Sequence, residues 1–479
     1  MADKKEECGV FGIYGDPEAV QKTYFGIHSL QHRGQESAGI ASSDGEHIKS
    51  FARMGEVGRV FRKSRRMLDK LANPIAIGHV RYSTTGSSNP LNAQPFLSEY
   101  SRGQVAVAHN GNLINAGLLR DEYEAYGHIF KSTNDTEIVV HLLAKPSHAA
   151  RPDALGHVLN HLQGAYSILF LFPDRIEAAR DPYGIRPLSI GRTKNGAYCV
   201  ASETCAFDTI DAEYIRDVEP GEIVTLDKDG ISSRFFVKPG TVTPGHCIFE
   251  HVYFAKQSSM VFGENVHEVR KRCGEQLARE FPVEADVVIP VPDSGTSAAV
   301  GYANESGIPF DMGFVRSHYV GRTFLAPSQA LRELAVRMKL AVVKETVKDK
   351  RVVVVDDSIV RGTTTKGKIQ SLRDAGATEI HMRVSCPPIK FPCFYGVDFP
   401  TYEELVANKR TLDEIRDYLG VDTLGYISLD GMVSCASLPA DHYCTACWSG
   451  QYKIPVCTVA NKFHMERHQM QLFDSVESE

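Results

Sequence analysis

The chain has 479 residues and a formal net charge of -6, a length that exceeds one ordinary core and an acidic balance that argues against broad nucleic-acid binding. Its most apolar stretch, Tyr166 to Phe172, falls far short of a membrane span, and the charged opening Met1 to Glu7 lacks the apolar core of a signal peptide. The expectation is a cytoplasmic enzyme of two large domains whose 11 cysteines are reduced thiols or metal ligands rather than disulfides.

Cys8-Gly-Val-Phe-Gly-Ile-Tyr14 predicts an opening strand with its cysteine at the very start. Taken alone, that residue reads equally well as an ordinary buried cysteine. The polar, glycine-bearing segment His32 to Gly39 follows, and then Gly78 to Thr84, where Arg81 ends an apolar strand. Ala106 to Asn112 predicts a strand running into a tight turn at Asn110-Gly111. Ser132 to Glu137 predicts a cap opening the next helix. Gln163 to Phe172 and Ala178 to Pro187 predict a strand and a glycine–proline turn. Glu219-Pro-Gly-Glu222 predicts a turn into the last strand of the first domain, and Cys199 and Cys205 read as core.

Together and in this order, these segments resemble the glutaminase domain of N-terminal-nucleophile amidotransferases. The resemblance implies an αββα sandwich of two antiparallel sheets over residues 8–238, with residues 1–7 a propeptide removed to free the Cys8 amine. Such processing is chemically useful. The thiolate is the nucleophile, and an α-amine that titrates near neutrality is a built-in base. By the same resemblance Cys8 attacks the glutamine side-chain amide, releasing ammonia. The Asn110 side chain and the Gly111 N–H form the oxyanion hole. Arg81 clamps the glutamine α-carboxylate, Asp135 holds its α-ammonium, and Arg33, in a segment beside the nucleophile, is grouped with them as a glutamine contact.

In the second half, Ala285 to Ala299 predicts a strand ending in a phosphate-binding turn at Asp293, Ser294, Gly295, Thr296 and Ser297. A cation-rich segment follows, with Tyr319, Arg322, Arg332, Arg337, Lys339 and Lys344. Then Arg351-Val-Val-Val-Val-Asp-Asp-Ser-Ile-Val-Arg-Gly-Thr-Thr-Thr365 predicts a strand buried on both faces, an acidic pair, a small-residue turn and a helix from Lys366 to Ala375. Such a turn can hold a phosphomonoester at the helix N-terminus, and the carboxylates can reach ribose hydroxyls directly or through Mg2+.

That stretch resembles the phosphoribosyl-diphosphate (PRPP) signature of type I phosphoribosyltransferases. The resemblance implies a mainly parallel sheet over residues 239–479. Asp356 and Asp357, with Ser294, would bind one Mg2+. Ser358, Arg361, Gly362, Thr363 and Thr364 would hold the 5′-phosphate, and the turn at Asp293 the pyrophosphate. Tyr319, Arg322 and Lys339 would close a lid. Where relatives often carry Lys-Asn-Arg, this chain has Arg316-Ser317-His318, which bears on nucleotide-inhibitor contacts more than on catalysis.

Cys444-Thr-Ala-Cys447 is a C-x-x-C, and its spacing suits zinc as well as an iron–sulfur cluster. With Cys247 and Cys393 it resembles the cysteines that hold one 4Fe–4S cluster in a branch of the glutamine PRPP amidotransferases. Cys273, Cys386, Cys435 and Cys457 are expected to be ordinary thiols, Cys435 and Cys457 being the nearest rivals as ligands. The full chain resembles that family, which implies transfer of glutamine-derived ammonia to C1 of PRPP, giving 5-phospho-β-D-ribosylamine, glutamate and pyrophosphate. It implies purine nucleotides as feedback inhibitors and a homotetramer, with no nucleic-acid or membrane partner. Two rivals are weighed against it. A glucosamine-6-phosphate-synthase-like enzyme would lack Val352 to Thr365. A PRPP-sensing repressor would need neither Cys8 nor Arg81 and would add a basic DNA-binding domain.

Overall fold

Small and β-branched residues dominate the first half, and in the computed structural model they form two antiparallel sheets. The structure describes residues 8–62, 65–82, 89–317, 340–397 and 401–456. The strands are β1 (Gly9–Tyr14), β2 (Ser37–Ser43), β3 (Ile48–Met54), β4 (Ile75–Arg81), β5 (Phe96–Tyr100) and β6 (Gly103–Leu113). They continue with β7 (Gly164–Leu171), β8 (Ile176–Arg180), β9 (Ser189–Thr193), β10 (Tyr198–Ala201), β11 (Ala212–Asp217), β12 (Glu222–Asp227) and β13 (Gly230–Phe235). One sheet has the order β11-β9-β10-β1-β4-β2-β3, the other β13-β12-β8-β7-β6-β5.

Neighbouring side chains of a strand point to opposite faces, and β1 shows the result. Val10 packs into the layer between the sheets with Ile77, Val200, Ala108, Leu169 and Val224. Phe11 and Ile13 face outward into a second cluster with Ile27 of helix Ala19–Ser29 and Phe207 of helix Cys205–Thr209. Helices Ala116–Ala125, Glu137–Ala144 and Ala154–Leu159 cover the outer face of the other sheet. Helix, sheet, sheet, helix is the expected sandwich.

The second half is built on a parallel sheet in the order Val287–Pro290, Arg351–Asp356, Glu379–Val384, Thr423–Tyr426. Val352 to Val355 are fully buried, as a strand covered on both faces requires. Helices Val266–Glu280 and Thr296–Ser306 meet backbone to backbone. A Cβ on Gly274 would lie 1.9 Å from the Ala298 carbonyl oxygen, and one on Gly301 1.9 Å from that of Lys271. This contact fixes the helix that carries the Asp293–Ser297 turn. Ala165 and Ile185 of the first half join the same core. No helix among the described residues is long and apolar enough to cross a membrane.

The helix after Ser132 begins at Glu137, as the cap predicts, and the Glu137 carboxylate reaches back to the Lys131 and Ser132 N–H groups at 2.8 Å each. Three local expectations change. Asn110-Gly111 is not a turn: β6 runs straight through it to Leu113, paired with β7. The turn at Glu219 leads into β12, with β13 still to follow. The phosphate-loop helix spans Thr363–Asp374, starting three residues early because Gly362 (φ 76°) takes the left-handed conformation that ends the loop.

The helix contact has an opposite-signed pair of tests. Gly301→Ala should lower unfolding stability by about 1–3 kcal/mol, since the added methyl meets backbone that cannot yield. Gly367→Ala, where a Cβ meets nothing within 4 Å, should raise it by up to about 1 kcal/mol through helix propensity. Denaturant unfolding of both variants reads the two signs.

Candidate active sites

Cys8 sits at the head of β1, is 5% exposed, and its thiol points to the Tyr82 carbonyl oxygen at 3.4 Å. Burial pushes the thiol up to about 11, with the Arg81 guanidinium pulling the other way. At neutral pH the sulfur therefore keeps its proton until a base takes it. Arg81 closes β4 with its side chain buried, and Glu36 lies 3.7 Å away. Asp135 is buried too, and Oδ2 accepts from the Leu113 N–H at 2.9 Å. Burial alone would push its pKa up, but His109 outweighs it and holds the carboxyl below the usual range. An ionised carboxylate and a guanidinium, both shielded from water and both acting on Cys8, suit the two ends of an amino acid.

Asn110 lies on β6 of the facing sheet. Its side-chain nitrogen lies 3.3 Å from Ser202 Oγ, which also accepts from the Val10 N–H at 3.0 Å. Ser202 thus ties Asn110 to the strand that follows Cys8, while Asn110 Oδ1 is buried without a partner. A half-turn of the amide would let the Ser202 hydroxyl donate to that oxygen and turn the NH2 group toward Cys8. Gly111 has φ 145°, and a Cβ there would lie 1.9 Å from the Ala165 carbonyl oxygen. No other residue fits that position.

Arg33 is held by the protein on three sides. Its Nε donates to the Cys8 carbonyl at 2.9 Å, Nη1 to Glu203 at 2.5 Å and Nη2 to Glu250 at 2.7 Å. These bonds tie it to the Cys8 backbone. Arg186 approaches Glu250 from the other side at 3.4 Å and donates through Nε to the Tyr395 carbonyl at 3.0 Å. Arg33, Glu203, Glu250 and Arg186 have side chains with no exposed surface. Burial pushes Glu203 up, but His32 and Arg33 hold it well below the usual carboxylate range. The segment after Glu250 continues the link. Lys256 N–H and Ser259 Oγ both donate to Glu203 Oε2 at 2.8 Å, and Gln257 Nε2 donates to the Asp293 carbonyl at 2.8 Å. Sequence reading assigned no role to Ser202, Glu203, Arg186 or Glu250. The only signal was ionisable residues inside otherwise apolar stretches.

At the other end of that link, Asp356 and Asp357 close the central parallel strand and are 2% and 1% exposed. The Ser294 hydroxyl donates to Asp357 Oδ2, and the Ser358 hydroxyl to Oδ1 at 2.5 Å. Lys368 Nζ lies 3.4 Å from Asp356. Two carboxylates and two hydroxyls form an all-oxygen donor set, the kind Mg2+ prefers. Asp293 pairs with Arg316 at 2.6 Å, and Ser297 Oγ with His267 Nδ1 at 2.9 Å. The Gly295 and Thr296 N–H groups bond within the turn, to Val291 and Asp293. Thr363 and Thr364 open the helix after Gly362, whereas Arg361 turns away to Glu404. Tyr319, Arg322 and Lys339 lie outside the described residues, as do Cys457 and Met1 to Glu7.

The four candidate ligand cysteines converge. Cys247 and Cys444 are register partners in a short parallel pair. Contact with Cys447 draws the Cys393 thiol down, while burial pushes Cys444 up to about 12. Among the described residues no three of these sulfurs come within 4.8 Å of one another, wider than the about 3.8 Å edge of a tetrahedral site with 2.3 Å zinc–sulfur bonds. Cys435 is removed as a rival because its thiol pairs with Cys273. The Cys393 loop rests on β6: Asn112 Nδ2 donates to the Phe394 carbonyl at 2.8 Å, and Gly396 abuts the Gly111 backbone.

Residues 79–209 match the family model described as glutamine amidotransferase domain, and residues 264–390 that described as phosphoribosyl transferase domain. A chloroplastic amidophosphoribosyltransferase of Glycine max is 51% identical over 94% of this chain and 79% of its own length. The Bacillus subtilis amidophosphoribosyltransferase is 48% identical over 93% of this chain and 94% of its own. The solved structure of the B. subtilis glutamine PRPP amidotransferase complexed with ADP and GMP superposes with a TM-score of 0.89, at 46% identity, over 95% of this chain and all of that one. With both half-sites present and similarity running through them from end to end, the chain belongs to the amidophosphoribosyltransferase family.

Proposed function

We propose that this chain hydrolyses glutamine at Cys8 and delivers the ammonia internally to PRPP, yielding 5-phospho-β-D-ribosylamine, glutamate and pyrophosphate, the opening reaction of purine synthesis. The observation that carries this reading is the 256–259 segment, whose Lys256 N–H and Ser259 hydroxyl bond to Glu203 beside Arg33 and whose Gln257, between them, bonds to the Asp293 carbonyl. Ammonia in bulk water is mostly ammonium, and a sugar cation in water is hydrolysed. A shielded passage between residues 8–238 and 239–479 avoids both losses.

In the first domain Arg81 and Asp135 hold glutamine by its two charged ends. Asn110 and Gly111 face the oxyanion that forms when sulfur adds to the amide carbon, a contribution of about 3–4 kcal/mol per donor elsewhere. The high thiol pKa supports removal of residues 1–7, because the freed α-amine is a base already in place. In the second domain Asp356, Asp357 and Ser294 would hold Mg2+, which offsets the charge of the departing diphosphate. Ser358 and Gly362 to Thr364 offer hydroxyls and helix N–H groups to the 5′-phosphate, and residues 293–297 lie where the pyrophosphate leaves. Cys247, Cys393, Cys444 and Cys447 would hold one 4Fe–4S cluster with a structural role, since the reaction moves no electrons. Binding of purine nucleotides as inhibitors rests on the ADP and GMP bound by the B. subtilis relative, and a homotetramer on the family resemblance.

The decisive experiment measures pyrophosphate release from PRPP with glutamine and, separately, with ammonia. Cys8→Ala should lose the glutamine-driven rate by at least about 1,000-fold and keep the ammonia-driven one. The double variant Asp356→Asn, Asp357→Asn should lose both. A Cys8→Ala protein that still uses glutamine overturns the reading. Intact mass of active protein should correspond to a chain starting at Cys8, and full activity with Met1 to Glu7 retained rejects processing. Protein purified without oxygen should be brown, with about four irons per chain, and Cys447→Ser should lose both the colour and thermal stability. A colourless protein carrying stoichiometric zinc decides for the mononuclear site.

A further inference from the structure

Outside both reaction centres, three imidazoles meet on the outer helical layer of the first domain. His148 lies in helix Pro146–Ala149, His157 in helix Ala154–Leu159, and His161 just beyond the end of the latter. The last two are four residues apart and share one helical face. One ring nitrogen from each residue lies within 4.8 Å of the others, and the ring centroids are 4.7–4.8 Å apart.

The hydrogen bonds set the tautomers. His148 Nδ1 lies 3.1 Å from the Leu142 carbonyl oxygen, and His161 Nδ1 lies 2.9 Å from the His157 carbonyl oxygen. A carbonyl only accepts, so each Nδ1 carries the proton and each Nε2 keeps its lone pair. Metal-ligating histidines are commonly oriented in this way, with one nitrogen tied to a carbonyl and the other aimed at the ion. Exposure is graded: His148 is 6% exposed, His157 half-buried and His161 at the surface. The site therefore has a fixed inner ligand and an open outer side. Asp153 caps the second helix by accepting from the Gly156 N–H at 3.0 Å, which holds its first turn.

We propose that His148, His157 and His161 form a three-imidazole site for a divalent late transition ion of the zinc class, with water as fourth ligand. Bonds of 2.0–2.1 Å bring such nitrogens to about 3.3 Å from one another, a closure that side-chain rotation of the two outer histidines supplies. The competing account is a stack of rings that merely fills the layer. Two of the three rings are solvent-accessible and add little to a core, and three imidazoles this close repel one another when protonated, whereas one shared cation removes that repulsion. A bound ion would tie both helices to the end of helix Glu137–Ala144, which supplies the Leu142 carbonyl.

The test uses full-length protein prepared anaerobically with its cysteine site as isolated, so that any thiol-bound metal is common to all samples. Equilibrium dialysis against Zn2+ should give the parent one equivalent more than His157→Ala or His161→Ala, with affinity at the histidine site falling at least about 10–100-fold, the loss seen on removing even an outer-shell partner. Zn2+ should raise the thermal midpoint of the parent and of neither variant. Co2+ added to the parent should give d–d absorption without a thiolate charge-transfer band. Equal stoichiometry and equal thermal shifts across the three proteins overturn the proposal, as does a Co2+ spectrum of thiolate type only.

Discussion

Everything in this molecule leans on a knot of charge that water does not reach. Arg33, Glu203, Glu250 and Arg186 are drawn from both halves of the chain, and each is satisfied by the others. Burying ions costs free energy that mutual attraction offsets only when every donor and acceptor is matched. Deleting one partner of such a set typically costs about 3–5 kcal/mol. A knot with those terms admits one arrangement of the two halves. Because Arg33 also holds the Cys8 carbonyl, that arrangement sets where the Cys8 backbone lies.

The two chemical centres solve a common problem by similar means. Each needs polar groups in a dry interior, and each places them where a fully apolar strand stops. Cys8 precedes β1, Arg81 ends β4, and Asp356 and Asp357 end the run of four valines. The strands provide rigidity and their ends provide polarity. Between the centres the chain uses hydrogen bonds to one carboxylate, Glu203, in place of a long rigid element. A short segment can thereby touch both centres.

Much of this was legible in the sequence, and the physical reason is local. The valine run, the acidic pair and the glycine–threonine turn are contiguous, so strand, loop and helix could be read in place, with the helix start displaced only by the left-handed Gly362. The paired sheets followed from the resemblance that the ordered segments of the first half carry together. What escaped was non-local. Asn110-Gly111 has the residues of a hairpin, but pairing with β7 and contact with the Ala165 carbonyl hold it extended. Arg33 was grouped with the glutamine contacts because its neighbourhood was right, while its partners Glu203 and Glu250 lie 170 and 217 positions away. The histidine trio spans two helices and has no run of sequence to announce it.

The loop from Cys393 to Gly396 has one more implication. It is pinned at one end by a thiol and lies at the other against the backbone of Gly111. With the Asn112 side chain also holding the Phe394 carbonyl, any shift of these four residues is passed to the Gly111–Asn112 stretch of β6, at Gly396 by backbone against backbone with no side chain between to absorb it.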